Sequence, residues 1–153
     1  MKKGVVFLSL MLFCISGFAV DSGPSWVMTG EGKIECKKIG LGPNKARIIL
    51  ENGQKMNINF NNISSFSEDN KVFVKLWLYE DNKPTGKMAF MELIEKWNDL
   101  SLYRLACRDI GTTDPKEVYY RYYLYEGMNY FLQLDDRTLT NTCINFGINK
   151  VEL

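Results

Sequence analysis

The chain has 153 residues and carries 19 Lys and Arg against 18 Asp and Glu, with no histidine. A charge balance this close to zero provides no long-range field to gather nucleic acid, so the composition argues against nucleic-acid binding. The absence of histidine excludes the Ser-His-Asp triad, the Cys-His pair and most catalytic zinc sites, and we expect neither a metal nor a cofactor.

The chain begins with the pattern of a secretory signal peptide. Two lysines precede an apolar run from Val5 to Ile15, and Gly17-Phe18-Ala19 supplies the small residues of a cleavage site. The apolar run is too short to cross a bilayer as a stable helix. We therefore predict cleavage after Ala19, with Val20 as a close alternative, and an exported domain of residues 20–153 without a transmembrane segment.

The exported part begins with short strands separated by turn residues. Residues 33–39 lie between two glycine-rich stretches and are predicted to form a first strand. Residues 45–50 and 54–60 alternate apolar and polar side chains on either side of Asn52-Gly53, a pair that favours a type I′ hairpin. One face of this hairpin is expected to be buried and the other to face water.

The middle of the chain contains a predicted loop, a strand and an ambiguous segment. Residues 61–70 are polar and are predicted to form a loop. Residues 71–79 are apolar on both faces, so we expect a central strand covered on two sides. The apolar residues of segment 88–99 follow i, i+3, i+4, i+7 spacing, which favours a helix packed on the sheet, although the segment could equally begin as a strand.

Three further strands are predicted at residues 101–109, 117–125 and 128–134, the last two joined as a hairpin at Glu126-Gly127. The tail from residue 137 is expected to hold a short helix or a last strand. About seven strands and one or two helices predict a single small α+β domain, mainly an antiparallel sheet with packed helices, or a small sandwich.

The most unusual internal feature is the tyrosine-rich segment 119–125. In a strand, alternate residues of this segment share a face, and on one face the tyrosines are joined by an arginine. Such a stripe is typical of protein-binding hot spots and also suits stacking on sugars or on single-stranded bases. The alternative, which we favour, is a half-buried strand that uses tyrosine for packing. The candidate binding residues on this face are Tyr119, Arg121, Tyr123 and Tyr125.

Three cysteines remain after removal of the signal peptide: Cys36, Cys107 and Cys143. Export into an oxidising compartment predicts one disulfide and one unpaired thiol. The wide spacings fit neither a zinc knuckle nor a CxxC redox motif, and periodicity alone does not choose the pair.

Several pieces of the chain follow one another in a recognisable order: Trp26-Val27, a central strand at 72–77, a cysteine-bearing strand at 103–108, the tyrosine-rich strand, and the segment 139–143 that ends in a cysteine. In order and spacing this layout resembles the bacterial surface-adhesin protein E family over most of the exported chain. The chain departs from the family pattern at Ala106, where an acidic residue is usual, and in its extra Cys36.

The resemblance implies an antiparallel sheet with a packed C-terminal helix, a disulfide between Cys107 and Cys143, and binding of host matrix or serum proteins. Cys36 is then the free thiol. Its place beside Ile34, on the apolar side of its strand, predicts that it is buried.

Three functions are compatible with these features. The first is a non-catalytic exported domain that binds a protein, such as an adhesin for host matrix or serum proteins. The second is a periplasmic inhibitor, immunity-type or envelope accessory protein that uses loops at 61–70 and 111–115. The third is a carboxylate-dependent enzyme acting on cell-wall glycans, ranked last because no carboxylate pair stands out. We therefore predict a protein partner, no enzyme activity, and a location in the periplasm or at the outer cell surface.

Overall fold

The chain folds into two antiparallel sheets in a computed structural model, which describes residues 23–108, 118–134 and 139. These residues form eleven strands and one 3₁₀ turn at Phe60–Asn62. The strands are β1 (Ser25–Thr29), β2 (Gly32–Cys36), β3 (Lys38–Leu41), β4 (Lys45–Ile49), β5 (Lys55–Asn59), β6 (Ile63–Glu68), β7 (Lys71–Glu80), β8 (Lys83–Trp97), β9 (Leu100–Arg108), β10 (Val118–Glu126) and β11 (Asn129–Leu134).

Eight strands form a large sheet in the order β11-β10-β9-β8-β7-β6-β1-β2, and β3, β4 and β5 form a small sheet. From β6 to β11 each strand pairs antiparallel with the next one along the chain, so this part is a meander of hairpins. Lys37 separates β2 from β3, and its N–H donates to the carbonyl of Ile49 (2.8 Å). The chain therefore passes from the large sheet to the small one within a single residue.

The hairpin turns occur at residues that tolerate positive φ. Asp69-Asn70, between β6 and β7, and Asp81-Asn82, between β7 and β8, have φ values from 48° to 61°, as a type I′ turn requires. The predicted β4–β5 hairpin is confirmed, but its turn is not type I′. Gly53 alone has positive φ (82°), while the side chain of Asn52 accepts a hydrogen bond from the Gln54 N–H (2.9 Å).

The large sheet carries buried clusters on both of its faces. Adjacent residues of a strand point to opposite faces, so Tyr122 and Leu124 belong to one side and Tyr123 and Tyr125 to the other. The first side holds two clusters, one beneath the small sheet and one towards β11. The cluster beneath the small sheet is Val27, Cys36, Ile39, Ala46, Ile48, Ile58, Ile63 and Phe66. The cluster towards β11 is Leu102, Tyr122, Leu124, Leu134 and Leu139.

The opposite side holds a third cluster, because strands β7 to β11 curl until β11 contacts β7. The ring of Tyr130 in β11 stacks on that of Tyr79 in β7, with centroids 3.7 Å apart. The Gln133 N–H donates to the Oδ1 of Asn82 in the β7–β8 turn (3.2 Å). Long strands coil because each is twisted, and the coil encloses the third cluster, Leu76, Met91, Tyr103, Tyr123 and Tyr125.

The α+β prediction is wrong, because the described residues form eleven strands rather than about seven and contain no helical segment longer than the 3₁₀ turn. The segment 88–99, predicted to be a helix, lies largely in β8 and pairs with both β7 and β9. Leu93 contacts the third cluster and Ile94 the cluster towards β11. A bulge between Leu93 and Glu95 adds one residue to the strand. A strand that is bulged and buried on both faces thus imitates helical spacing.

Two further boundaries differ from the prediction. Most of segment 61–70 is strand β6 rather than a loop, with Ile63 and Phe66 in the core and serines among the intervening positions. Segment 33–39 is divided between β2 and β3. The predicted strands at 71–79 and 101–109, and the tyrosine-rich hairpin, are confirmed within the described residues. The predicted loop at 111–115 lies outside these residues, as does the tail from 137 apart from Leu139.

Candidate functional site

The tyrosine-rich strand β10 is exposed at one end and buried at the other. Tyr119 is 41% exposed, whereas Tyr123 and Tyr125 are 0% and 1% exposed. Arg121, between them, is half-buried. The structure therefore brings Tyr119 and Arg121 to the surface and places the other two candidate binding residues in the core, so the predicted stripe is not one continuous exposed surface.

The buried tyrosines close the open edge of β7. Strand β6 pairs with β7 only as far as Val74, so the rest of β7 lacks a strand partner on that side within the described residues. The Tyr125 hydroxyl donates to the Trp77 carbonyl, and the Tyr123 hydroxyl donates to the Tyr79 carbonyl (3.1 Å). A buried carbonyl without a partner costs about 1–3 kcal/mol. The two hydroxyls therefore donate to β7 carbonyls that receive no hydrogen bond from a neighbouring described strand.

The same burial sets the protonation of these hydroxyls. Burial raises the pKa of Tyr103, Tyr123, Tyr125 and Tyr130 above the ordinary value for a phenol. Each of these side chains therefore stays neutral to a higher pH than an exposed tyrosine and remains able to donate a hydrogen bond. Their chemistry is that of structural donors, since a general acid or base needs a pKa near the working pH.

Arg121 organises the exposed end of β10. It donates to Glu80 Oε1 from Nη1 (3.0 Å) and to the Tyr119 hydroxyl from Nη2 (3.4 Å). These side chains border a cleft of about 420 Å³ that Tyr120 and Gln133 also line. The Gln133 Oε1 is buried and has no hydrogen-bond partner among the described residues. We call Glu80, Tyr119, Tyr120 and Arg121 the Tyr/Arg rim.

Tyr120 lies on the opposite face of β10 and is held by a second arginine. The guanidinium carbon of Arg104 is 4.6 Å from the centre of the Tyr120 ring, within cation–π range. Arg104 also donates to Glu92 Oε2 from Nε (3.2 Å) and Nη2 (2.7 Å). Lys71 is 3.7 Å from the other oxygen of Glu92. The Glu92 carboxylate is therefore engaged in ion pairs.

The cysteines are placed in two different environments. Cys36 is buried, as expected, and forms no disulfide with a described residue. Cys107 lies opposite Tyr119 in the β9–β10 register and forms no disulfide with a described residue. Burial raises the pKa of both thiols. Cys143 is outside the described residues, so the Cys107–Cys143 disulfide stays a prediction.

A larger cleft was missed by the sequence analysis. It measures about 770 Å³ and is lined by residues of β1, β2, β5, β6, β7 and β8, of the 3₁₀ turn, and of the β1–β2 and β10–β11 turns. Three methionines line it, Met56, Met88 and Met128, and they are 37%, 42% and 65% exposed. We call it the methionine cleft. These residues lie far apart in the chain, so no local pattern marks the cleft.

Within the part of the chain that the structure describes, no group of three or more His, Cys, Asp or Glu side chains is placed to hold a metal ion. No helix among the same residues is long and apolar enough to cross a membrane. No family model, curated protein or solved structure matches the chain. The candidate sites therefore rest on this chain's own geometry.

Proposed function

We propose that this protein is an exported, non-catalytic domain that binds another protein through the Tyr/Arg rim. The observation that carries the proposal is the exposure of Tyr119 and Tyr120 on the two faces of one strand end, beside Arg121. Tyrosine and arginine are enriched at protein-binding hot spots, where large rings bury much area with few rotatable bonds.

The side chains of the rim contact neighbouring side chains of the same protein. The Arg121–Glu80 ion pair joins β10 to the end of β7, and Arg121 in turn contacts the Tyr119 hydroxyl. Arg104 holds the ring of Tyr120. Side chains that are already ordered lose less conformational entropy on binding, which favours affinity.

Two kinds of partner follow from the sequence. A host matrix or serum protein is the partner if the chain acts as the protein E family does, and an envelope protein is the partner if it is a periplasmic inhibitor or accessory protein. The second alternative loses one of its two recognition loops, because segment 61–70 is mostly strand β6. The adhesin is therefore the preferred proposal.

Capture by the immobilised exported chain tests the proposal. Serum, matrix proteins and an envelope extract are passed over the wild type, over a Tyr119→Ala/Tyr120→Ala double variant and over Phe131→Ala, which removes an exposed ring outside the rim. We expect a protein that binds the wild type and Phe131→Ala equally and the double variant at least tenfold more weakly. Equal binding by all three, or no saturable partner in any source, contradicts the proposal.

Protease treatment of intact cells decides between the two kinds of partner. A chain cut on intact cells is displayed at the surface, as an adhesin requires. A chain that resists until the outer envelope is broken is periplasmic, which favours the inhibitor or accessory protein. Lysed cells serve as the control for intrinsic protease sensitivity.

A further inference from the structure

The methionine cleft is a concave site that leaves the side chains of its three methionines open to solvent. Ile34, Ile58 and Ile63 line it together with the three methionines. Methionine is among the residues most often fully buried, so three exposed methionines around one hollow need an explanation. A volume of about 770 Å³ falls within the range of small-molecule sites, roughly 300–1,000 Å³. An open apolar concavity of this size is suited to a ligand.

The cleft also has a cationic end. Lys75 is half-buried, and its Nζ donates to the Phe60 carbonyl (2.7 Å). An ammonium group has three donors, so two N–H groups remain for a ligand. Glu31, the carboxylate among the described lining residues, lies exposed in the β1–β2 turn. An anion at Lys75 would meet a partly desolvated ammonium, where charge-assisted hydrogen bonds are strong.

Lys75 lies at the junction of two hollows. A neighbouring hollow of about 390 Å³ shares Asn61, Lys75 and Met88 with the methionine cleft and adds Trp77. Trp77 is the cross-strand partner of Met88. The apolar surface is therefore continuous on both sides of a single ammonium group.

We propose that the methionine cleft binds a free fatty acid, with the acyl chain against the methionines and the carboxylate on the Lys75 ammonium. Methionine side chains have three rotatable bonds and a polarisable thioether, so a wall made of them adapts to a flexible chain. A neutral apolar ligand leaves Lys75 without a counter-ion, whereas a fatty acid matches both parts of the site. The cleft and the Tyr/Arg rim share none of their lining residues, so this proposal does not depend on protein binding at the rim.

The test uses hexadecanoic acid and hexadecanol as probes, titrated by calorimetry into the delipidated exported chain. We expect saturable binding of the acid to the wild type. Lys75→Met removes the ammonium and keeps an unbranched apolar side chain, so we expect affinity for the acid to fall about tenfold or more while affinity for the alcohol is unchanged. Lys75→Arg keeps the charge and is expected to retain binding of the acid.

Two further variants separate the chain-binding wall from the rest of the surface. Met56→Ser/Met88→Ser is expected to weaken both probes, because each needs the apolar wall, and Phe131→Ala is expected to change neither. Failure of the wild type to bind hexadecanoic acid overturns the proposal. Equal losses of acid and alcohol affinity in Lys75→Met also overturn it, since Lys75 then serves the shape of the cleft. Partner capture at the rim is measured on the same variants, so the two proposals can fail separately.

Discussion

The buried tyrosines of β10 and the exposed methionines of the cleft reverse the usual positions of these residue types. Tyr123 and Tyr125 are almost wholly buried, whereas Met128 is largely exposed. Tyrosine is ordinarily intermediate in burial and methionine is ordinarily buried. The contrast between the two regions indicates that unpaired backbone carbonyls, which need hydrogen-bond donors, influence which side chains are buried in a core.

The two regions differ in how many backbone carbonyls need a hydrogen-bond donor from a side chain. Inside the curl, the carbonyls of Trp77 and Tyr79 need donors, and tyrosine supplies a hydroxyl at the end of a large apolar ring. The ring of Tyr125 also contacts that of Tyr103 edge-on, at 5.6 Å between centroids. The three methionines of the cleft supply no hydrogen-bond donor to the backbone, so their side chains are expected to tolerate change.

Removing a buried ring is expected to have the largest effect. Tyr125→Ala deletes a core ring and leaves the Trp77 carbonyl without its donor, so we expect the free energy of unfolding to fall by about 3–5 kcal/mol. Urea denaturation measures the change. Phe131→Ala, which removes an exposed ring, is the control and is expected to cost no more than about 0.5 kcal/mol. Equal costs in the two variants contradict the assignment of Tyr125 to the core.

Removing the hydroxyl alone isolates the hydrogen bond. Tyr125→Phe and Tyr123→Phe keep the ring and leave a partly buried carbonyl without its donor, so each is expected to lower the free energy of unfolding by about 1–3 kcal/mol. Tyr119→Phe is the matched control at the exposed end of the same face, with an expected cost below about 0.5 kcal/mol. If all three variants unfold at the same urea concentration, tyrosine hydroxyls do not close the β7 edge.

Alkaline pH tests the same cluster without mutation. Burial raises the pKa of Tyr123 and Tyr125 in the folded state, whereas in the unfolded chain tyrosine ionises near its ordinary pKa of about 10. The contribution of these tyrosines to the free energy of unfolding is therefore fully present below about pH 10. It falls as the pH rises above that value, because the unfolded state releases its protons first. Urea midpoints measured between about pH 8 and about pH 11 check this, because the range runs from about two units below the ordinary tyrosine pKa to about one unit above it. Tyr125→Phe should show a shallower decline than the wild type, and an identical decline argues against a buried Tyr125 hydroxyl.

The smallest effect on stability is expected at the cleft. Met128→Ser changes an exposed side chain in the β10–β11 turn, so the free energy of unfolding should move by no more than about 0.5 kcal/mol. Hexadecanoic acid should nevertheless bind several-fold more weakly, because part of the apolar wall is lost. A large loss of stability on this substitution would show that the methionines of the cleft are core residues after all.

The hairpins were predictable from local sequence, whereas two strands were not. The β4–β5 and β10–β11 hairpins have alternating side chains and a glycine in the turn, both of which are local signals. Strand β8 carries a bulge and is apolar on both faces, so its spacing imitates a helix. Strand β6 contains three serines, so its sequence lacks a clear alternation of apolar and polar residues.

The candidate site was only partly predictable for a similar reason. Tyr119 is exposed and Arg121 is half-buried near Glu80, but nothing local indicates that Glu80 is the residue that pairs with Arg121. The burial of Tyr123 depends on the curl that brings β10 against β7. The methionine cleft draws its residues from distant parts of the chain, so no sequence window contains it.

The strand-rich character of the chain, most of its hairpins and the two faces of β10 follow from local sequence, because a two-residue period and turn residues specify them. The tertiary structure alone decided which of those faces is covered, since coverage depends on sheet curl and on packing between segments far apart in the chain. Alternation separates two faces of a strand, and only the neighbours that pack on each face make one of them a core or leave it open as a site.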